Sequence, residues 1–305
     1  MPLPYSIDYH SKIFGLGSCF VDHIKTKLNY YQFQTLINPY GTVFNPHSIK
    51  KLLQYTVNQP VFTEKVLFKH ENIWKHFDFH TAFNRLTVEE YRNNLHHTIH
   101  QAKGFLQSTD WAFFTLGTAW VYRHKITGKI VNNCHKVPQK EFEKILLSTT
   151  EIIDELKEIR LILQQINPHI KILLTVSPVR HLKDGFTENQ RSKARLIEAV
   201  HSVVNHSHTF YFPSYEIMMD DLRDYRFYTS DLLHPNEQAV AYIWEIFTRS
   251  IIKQDILPDM KQIEKIQKQL QHKSFTGQPV TTVKLQTSIN QIKQKYPWMH
   301  FKINS

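Results

Sequence analysis

The sequence predicts an α/β fold: a doubly wound, mostly parallel five-stranded sheet with flanking helices, plus insertions and a helical C-terminal tail. Three observations predict it. Short, continuously apolar runs are bounded by turn residues, stretches of helical period stand between them, and 305 residues suit one such domain with an appendage.

The first strand is the run at 12–16, within "KIFGLG", and further strands are predicted over 32–37, 111–116, 170–176 and 209–212. Helices are predicted over 19–29, 46–55, 88–107, 139–165, 189–204 and 236–253. Asn45 before Pro46 reads as a cap followed by proline in the first turn, and Ser177-Pro178 reads as a second cap near a strand end. Right-handed crossovers then bring every C-terminal strand end to one sheet edge, where open α/β sheets hold their sites.

Two segments break the strand-helix rhythm. Residues 56–87 carry Trp74, Phe77, His80 and Phe83 without a clear period, and 118–138 reads as a β excursion turning at Thr127-Gly128. Both follow predicted strand ends and are candidate lids. From 254 the chain turns Gln- and Lys-rich, with eight lysines against three acidic residues, so half of the +10 net charge lies there. The division is therefore 1–253 as the main domain and 254–305 as a basic helical extension, an amphipathic appendage or partner surface.

Hydrophobic residues at 41% and aromatics at 13% exclude a disordered chain. Two cysteines, Cys19 and Cys134, are too few for a disulfide framework or a zinc cage. The N-terminus lacks the pattern of a secretory signal, and no apolar run reaches the ~20 residues of a membrane span, so a cytoplasmic location is expected. The basic residues are spread among acidic ones, without zinc-finger spacing or an RNP-like block, and nucleic acid is not an expected partner. His76, Asp78 and His80 alternate as ligands on a strand do, but with 19 histidines in the chain such clustering arises by chance, and no metal or other cofactor is expected.

Two stretches carry chemistry. In "GLGSCF", Ser18 follows the first strand and precedes the first helix, where backbone N–H groups stabilise an oxyanion; the same position suits an ordinary helix cap. In "YTSDLLHPNEQ", Asp231 and His234 stand three apart before a helix, so the carboxylate turns back onto one ring nitrogen and leaves the other outward. A serine hydroxyl needs such a base. Arg180 and His181, after the fourth strand, suit an anionic group of a substrate or a neighbouring carboxylate equally well.

This arrangement resembles the SGNH (GDSL-like) hydrolases, and more closely the GSCFA family within them. The resemblance is carried by "LGSCF" at 16–20, "NPYGTVFNP" at 38–46, "TLGTAWVYR" at 115–123, "NNCHKVP" at 132–138, "TVSPVRHLKDG" at 175–185 and "MMDDLRDYRFYTSDLLHP" at 218–235. It covers about 10–250 and implies a three-layer hydrolase-like domain. It also implies Ser18 as nucleophile in preference to Cys19, His234 as general base, Asp231 as its orienting partner, and Ser18 and Gly41 as oxyanion-hole N–H donors. The superfamily's G-x-N-D block is altered: Thr118 and Ala119 follow Gly117, with no asparagine, so Thr118, Asn132, Asn133 or His135 has to supply the missing donor. His80, Asn133, His135 and Arg180 are the candidate substrate contacts. The implied function is a serine esterase or deacylase acting on a small-molecule or carbohydrate ester. The alternative is a hydrolase-like protein that binds a glycan or peptide with weak or no catalysis.

Overall fold

Five parallel strands form the centre of the computed structural model, which describes residues 3–271 and 283–301. The strands are β1 (Lys12–Gly17), β2 (Gln34–Ile37), β3 (Phe68–His70), β4 (Ile73–Lys75), β5 (Trp111–Leu116), β6 (Trp120–His124), β7 (Ile130–Val131), β8 (Phe142–Leu146), β9 (Lys171–Val176) and β10 (Thr209–Tyr211). The helices are α1 (Cys19–Tyr30), α2 (Pro46–Asn58), α3 (Val88–Leu106), α4 (Thr149–Ile166), α5 (Phe186–Val203), the short α6 (Ser214–Glu216), α7 (Glu237–Ile251), α8 (Leu257–Gln271) and α9 (Val283–Lys295). The central sheet runs β10-β9-β5-β1-β2.

Side-chain alternation divides the sheet between two cores. Ile13, Trp111, Phe113, Leu173 and Phe210 face α1, α7, α8 and α9. Phe14, Leu16, Phe114, Leu116, Leu174 and Val176 face α2, α3, α4 and α5. Both faces are covered, which is why these strands read as continuous apolar runs. The chain leaves β1 toward β2 through α1 on one face and returns to β5 through helices on the other. The β1/β5 boundary, with Gly17 paired to Thr115, is therefore the topological switch point.

The predicted sheet strands match the observed ones to within two residues at each end. The 139–165 helix does not hold over its first ten residues: Gln139–Glu141 is a 3-10 turn and Phe142–Leu146 is β8, paired with β6. The helix begins at Thr149, where Ser148 and Glu151 form a reciprocal capping box. Asn45 caps α2 by accepting from Ser48 N, as expected. Ser177 caps no helix; its Oγ accepts from Val179 N in a local turn, and α5 starts only at Phe186.

The two irregular segments meet each other. Asn132 N and Asn133 N both donate to Phe77 O, the His135 ring bonds His76 O at 2.8 Å, and Phe68 stacks on Phe77. The apolar positions of the tail, among them Ile263, Ile266, Leu285, Ile289 and Ile292, join the same core as α1 and α7. Tyr296 packs on Tyr9 at 4.6 Å and donates to Asp259 at 2.7 Å. Residues 272–282 and 302–305 of the predicted extension lie outside the described residues.

Candidate active site

The switch point holds Ser18 at the start of α1. Ser18 is fully buried and occupies the N-cap position, yet its side chain makes no capping bond and its Oγ has no hydrogen-bond partner. A serine placed only to cap a helix would accept from an N–H one turn on. Cys19 begins the helix proper, but burial and the Asp22 carboxylate push its thiol above the usual range despite the adjacent helix-start N–H groups. The lowered thiolate pKa expected from its position alone is not realised, because desolvation outweighs the helix-terminus effect.

Asp231 and His234 form the predicted pair. Asp231 Oδ2 lies 2.6 Å from His234 Nδ1, while Oδ1 accepts from Thr229 Oγ1 and from the N–H groups of Leu233 and His234. Those donors, led by the Thr229 hydroxyl, hold the Asp231 carboxyl below the usual carboxylate range. The loop is built tightly: Leu232 takes φ +58°, Thr229 N donates to His234 O, and Arg180 N donates to Leu233 O. That last bond ties the pair to the C-terminal end of β9, on the same edge as Ser18. Burial lowers the pKa values of His181 and His23, and the nearby His234 charge adds a smaller push in the same direction.

The remaining sequence candidates are distributed as follows. Gly41 takes φ +80°, and a Cβ there would stand 2.4 Å from His80 Cβ, so only glycine fits beneath that ring. The backbone N–H groups of Ser18, Gly41 and Thr118 donate to Thr115 O, Asn38 O and Phe44 O. The Thr118 hydroxyl accepts from Trp120 N and bonds Ser192 Oγ. His80 covers Gly41 while its Nδ1 accepts from Ala82 N. Arg180 lies over the rings of Tyr228 and Tyr225, at 4.3 and 5.2 Å, and so braces the Asp231 loop. His135 is buried in the contact between the two insertions, and Asn133 Oδ1 accepts from its N–H. His76 and His80 flank a turn after β4 rather than one side of a strand, and Asp78 turns to Lys51 and Tyr55.

Three features go beyond the sequence reading. Lys193 is fully buried and donates to Gly117 O at 2.8 Å and Ser177 O at 2.7 Å, joining the ends of β5 and β9; burial lowers its pKa to about 7. Its place on the stripe Asn189, Ser192, Lys193, Leu196, Ala199, Val200 was the available signal. Asn38 clamps the loop after β2, accepting from Gly17 N and donating to Asp22. His181, read from sequence only as a contact for an anion or a carboxylate, stands beside Ser18 and is held near a pKa of about 4 by burial and then by the Lys193 and His234 charges. A cleft of about 210 Å³ opens next to it, lined by Phe44, Thr118, Trp120, Asn132 and Lys183.

The fold and this edge define a doubly wound α/β protein with a serine at the switch point and a carboxylate-histidine pair after the last sheet strand. The chain belongs to the GSCFA family, whose model matches residues 12–247. No curated protein matches the sequence. Among solved structures, a carbohydrate esterase family 3 protein from Talaromyces cellulolyticus aligns at 10% identity and a TM-score of 0.38, over 82% of this chain and 98% of that one. A mutant acetyl esterase with acetate ion aligns at 10% identity and a TM-score of 0.37, over 83% and 99%. At this similarity the fold assignment rests on strand order and register. No helix among the described residues is long and apolar enough to cross a membrane.

Proposed function

We propose that the protein is a serine hydrolase of the SGNH type that cleaves an ester, with an acetyl or other short acyl ester on a carbohydrate as the substrate class. The observation that carries this reading is the 2.6 Å Asp231–His234 bond on the same edge as a buried Ser18 Oγ that no other group engages. Ser18 Oγ attacks the carbonyl carbon, its proton passes to His234 Nε2, and Asp231 fixes the ring with Nδ1–H and stabilises the imidazolium. His234 then protonates the leaving alcohol, and water repeats the sequence in reverse to free the acid. Ser18 Oγ touches no base in this structure, in keeping with catalytic hydrogen bonds that tighten when substrate binds.

A second reading is favoured by one specific observation: the N–H groups of Ser18, Gly41 and Thr118 are all engaged internally. A hole closed in this way suits a protein that binds a glycan or peptide without turning it over. Fluorophosphonate labelling separates the two, because the reagent requires an activated serine. Adduct on Ser18 by peptide mass spectrometry, together with loss of 4-nitrophenyl acetate hydrolysis in Ser18→Ala, is the expected result. Undiminished turnover in Ser18→Ala refutes the hydrolase assignment, and absence of both labelling and turnover favours the binder.

A further inference from the structure

Two buried polar atoms without partners flank Gly117: Ser18 Oγ and His181 Nε2. A Cβ on Gly117 would lie 3.2 Å from Ser18 Cβ, 3.2 Å from His181 Nε2 and 3.3 Å from Phe44 Cδ1. The nucleophile's Cβ and the ring nitrogen are therefore no more than twice that distance apart, and the ring nitrogen faces the space beside the nucleophile in which the carbonyl oxygen of an attacked ester would lie. The bare glycine keeps the space between them open.

We propose that His181 is the oxyanion donor of this site, its Nε2–H taking the place of the asparagine amide that is absent after Gly117. The inference rests on the hydrolase reading above. When Ser18 Oγ bonds to the carbonyl carbon, the π pair moves onto the carbonyl oxygen and the Ser18 proton goes to His234. His181 keeps its own proton and hydrogen-bonds that oxygen. Collapse returns the pair to carbon, breaks the bond to the leaving oxygen and delivers the His234 proton to it.

The backbone N–H groups around Gly117 are committed. The N–H groups of Ser18, Gly41 and Thr118 are engaged as described, and Ala119 N donates to Ser192 Oγ. His181 is held in place from both ends: its backbone N–H donates to Asn189 Oδ1 at 2.9 Å, and its ring sits edge-on to Phe44 at 5.7 Å. A buried ring nitrogen that no protein group pairs is costly, and such atoms concentrate where a ligand or reacting group is bound. The low pKa supports a donor role, since a neutral imidazole donates without giving up its proton and is too weak a base to serve Ser18 near neutral pH.

The test compares wild type, His181→Ala, His181→Gln and Ser18→Ala on 4-nitrophenyl acetate and its thionoacetate analogue. His181→Ala is expected to lower kcat about 10²–10³-fold with KM little changed, and His181→Gln, which keeps an N–H donor, to recover about tenfold of that. Sulfur accepts hydrogen bonds poorly, so the wild-type preference for the oxo ester should shrink by about tenfold in His181→Ala. Activity in His181→Ala within about threefold of wild type overturns the proposal, as does a loss with an unaltered oxo/thiono ratio, which marks a structural role. Disappearance of the activity-controlling ionisation from the pH profile of His181→Gln makes the ring the base and also overturns it. Activity surviving in Ser18→Ala, or wild type that neither turns over nor labels with fluorophosphonate, is the separate failure of the hydrolase reading itself.

Discussion

Replacing Lys193 with Met keeps the aliphatic stem and removes a buried ammonium group, and the structure fixes how that alters stability with pH. Burial lowers the Lys193 pKa from 10.5 to about 7. Below pH 7 the group is charged in both folded and unfolded chains, and the full cost of burying the charge is present. Between 7 and 10.5 the unfolded chain holds a proton that the folded chain has released, so stability rises with pH. The slope reaches about 1.4 kcal/mol per pH unit once the folded-state amine is fully neutral and is half that at pH 7, which gives about 2 kcal/mol from pH 7 to 9. Buried tyrosines such as Tyr9 and Tyr91, whose hydroxyls are pushed above their usual pKa, act the other way at higher pH, but they are common to both proteins and cancel in the difference. The variant also leaves Gly117 O and Ser177 O unpaired, a pH-independent loss of about 1–3 kcal/mol each. Urea unfolding followed by tryptophan fluorescence at pH 7, 8 and 9 should therefore show wild type gaining about 2 kcal/mol relative to Lys193→Met. A gap constant to within about 0.5 kcal/mol refutes the reasoning and means that the buried amine is already neutral, or stays charged, throughout the range.

Further outcomes follow from other parts of the structure. Asp231→Asn retains side-chain volume in a loop tied by Thr229 and Arg180, so the circular dichroism spectrum should be unchanged while kcat on 4-nitrophenyl acetate falls about 10²-fold or more; full activity would detach Asp231 from His234. Gly41→Ala forces an L-residue to φ +80° against His80 Cβ, which should cost about 2 kcal/mol or more and lower Tm by several degrees; an unchanged Tm would mean that the loop shifts freely. Ending the chain at residue 253 removes Ile263, Ile266, Leu285, Ile289 and Ile292 from the core they share with α1, so the shortened protein should bind a hydrophobic dye and unfold at much lower urea. A truncated chain as stable as wild type would show that these residues are an ornament on a finished domain.

The sequence by itself determined the sheet and the pairing of Asp231 with His234 at its edge. Strands buried on both faces are apolar at most positions rather than at alternate ones, so β1, β5 and β9 stand out without any pairing information. A carboxylate three residues before a histidine can reach that ring through local backbone alone, and Asp231 and His234 are legible for that reason. Only the tertiary structure decided the rest. The stretch at 139–148 looks helical because its apolar spacing fits either period, and pairing of Phe142–Leu146 with β6 makes it a strand. Lys193 reads as one of many helix lysines until the register of α5 turns it inward onto two strand ends. His181 and Ser18 are 163 residues apart in sequence and meet at Gly117 only because β1, β5 and β9 lie side by side in the folded sheet. Local patterns record what a residue needs from its immediate neighbours, whereas the charge, burial and partners of a group at a sheet edge are set by chain segments that arrive from elsewhere.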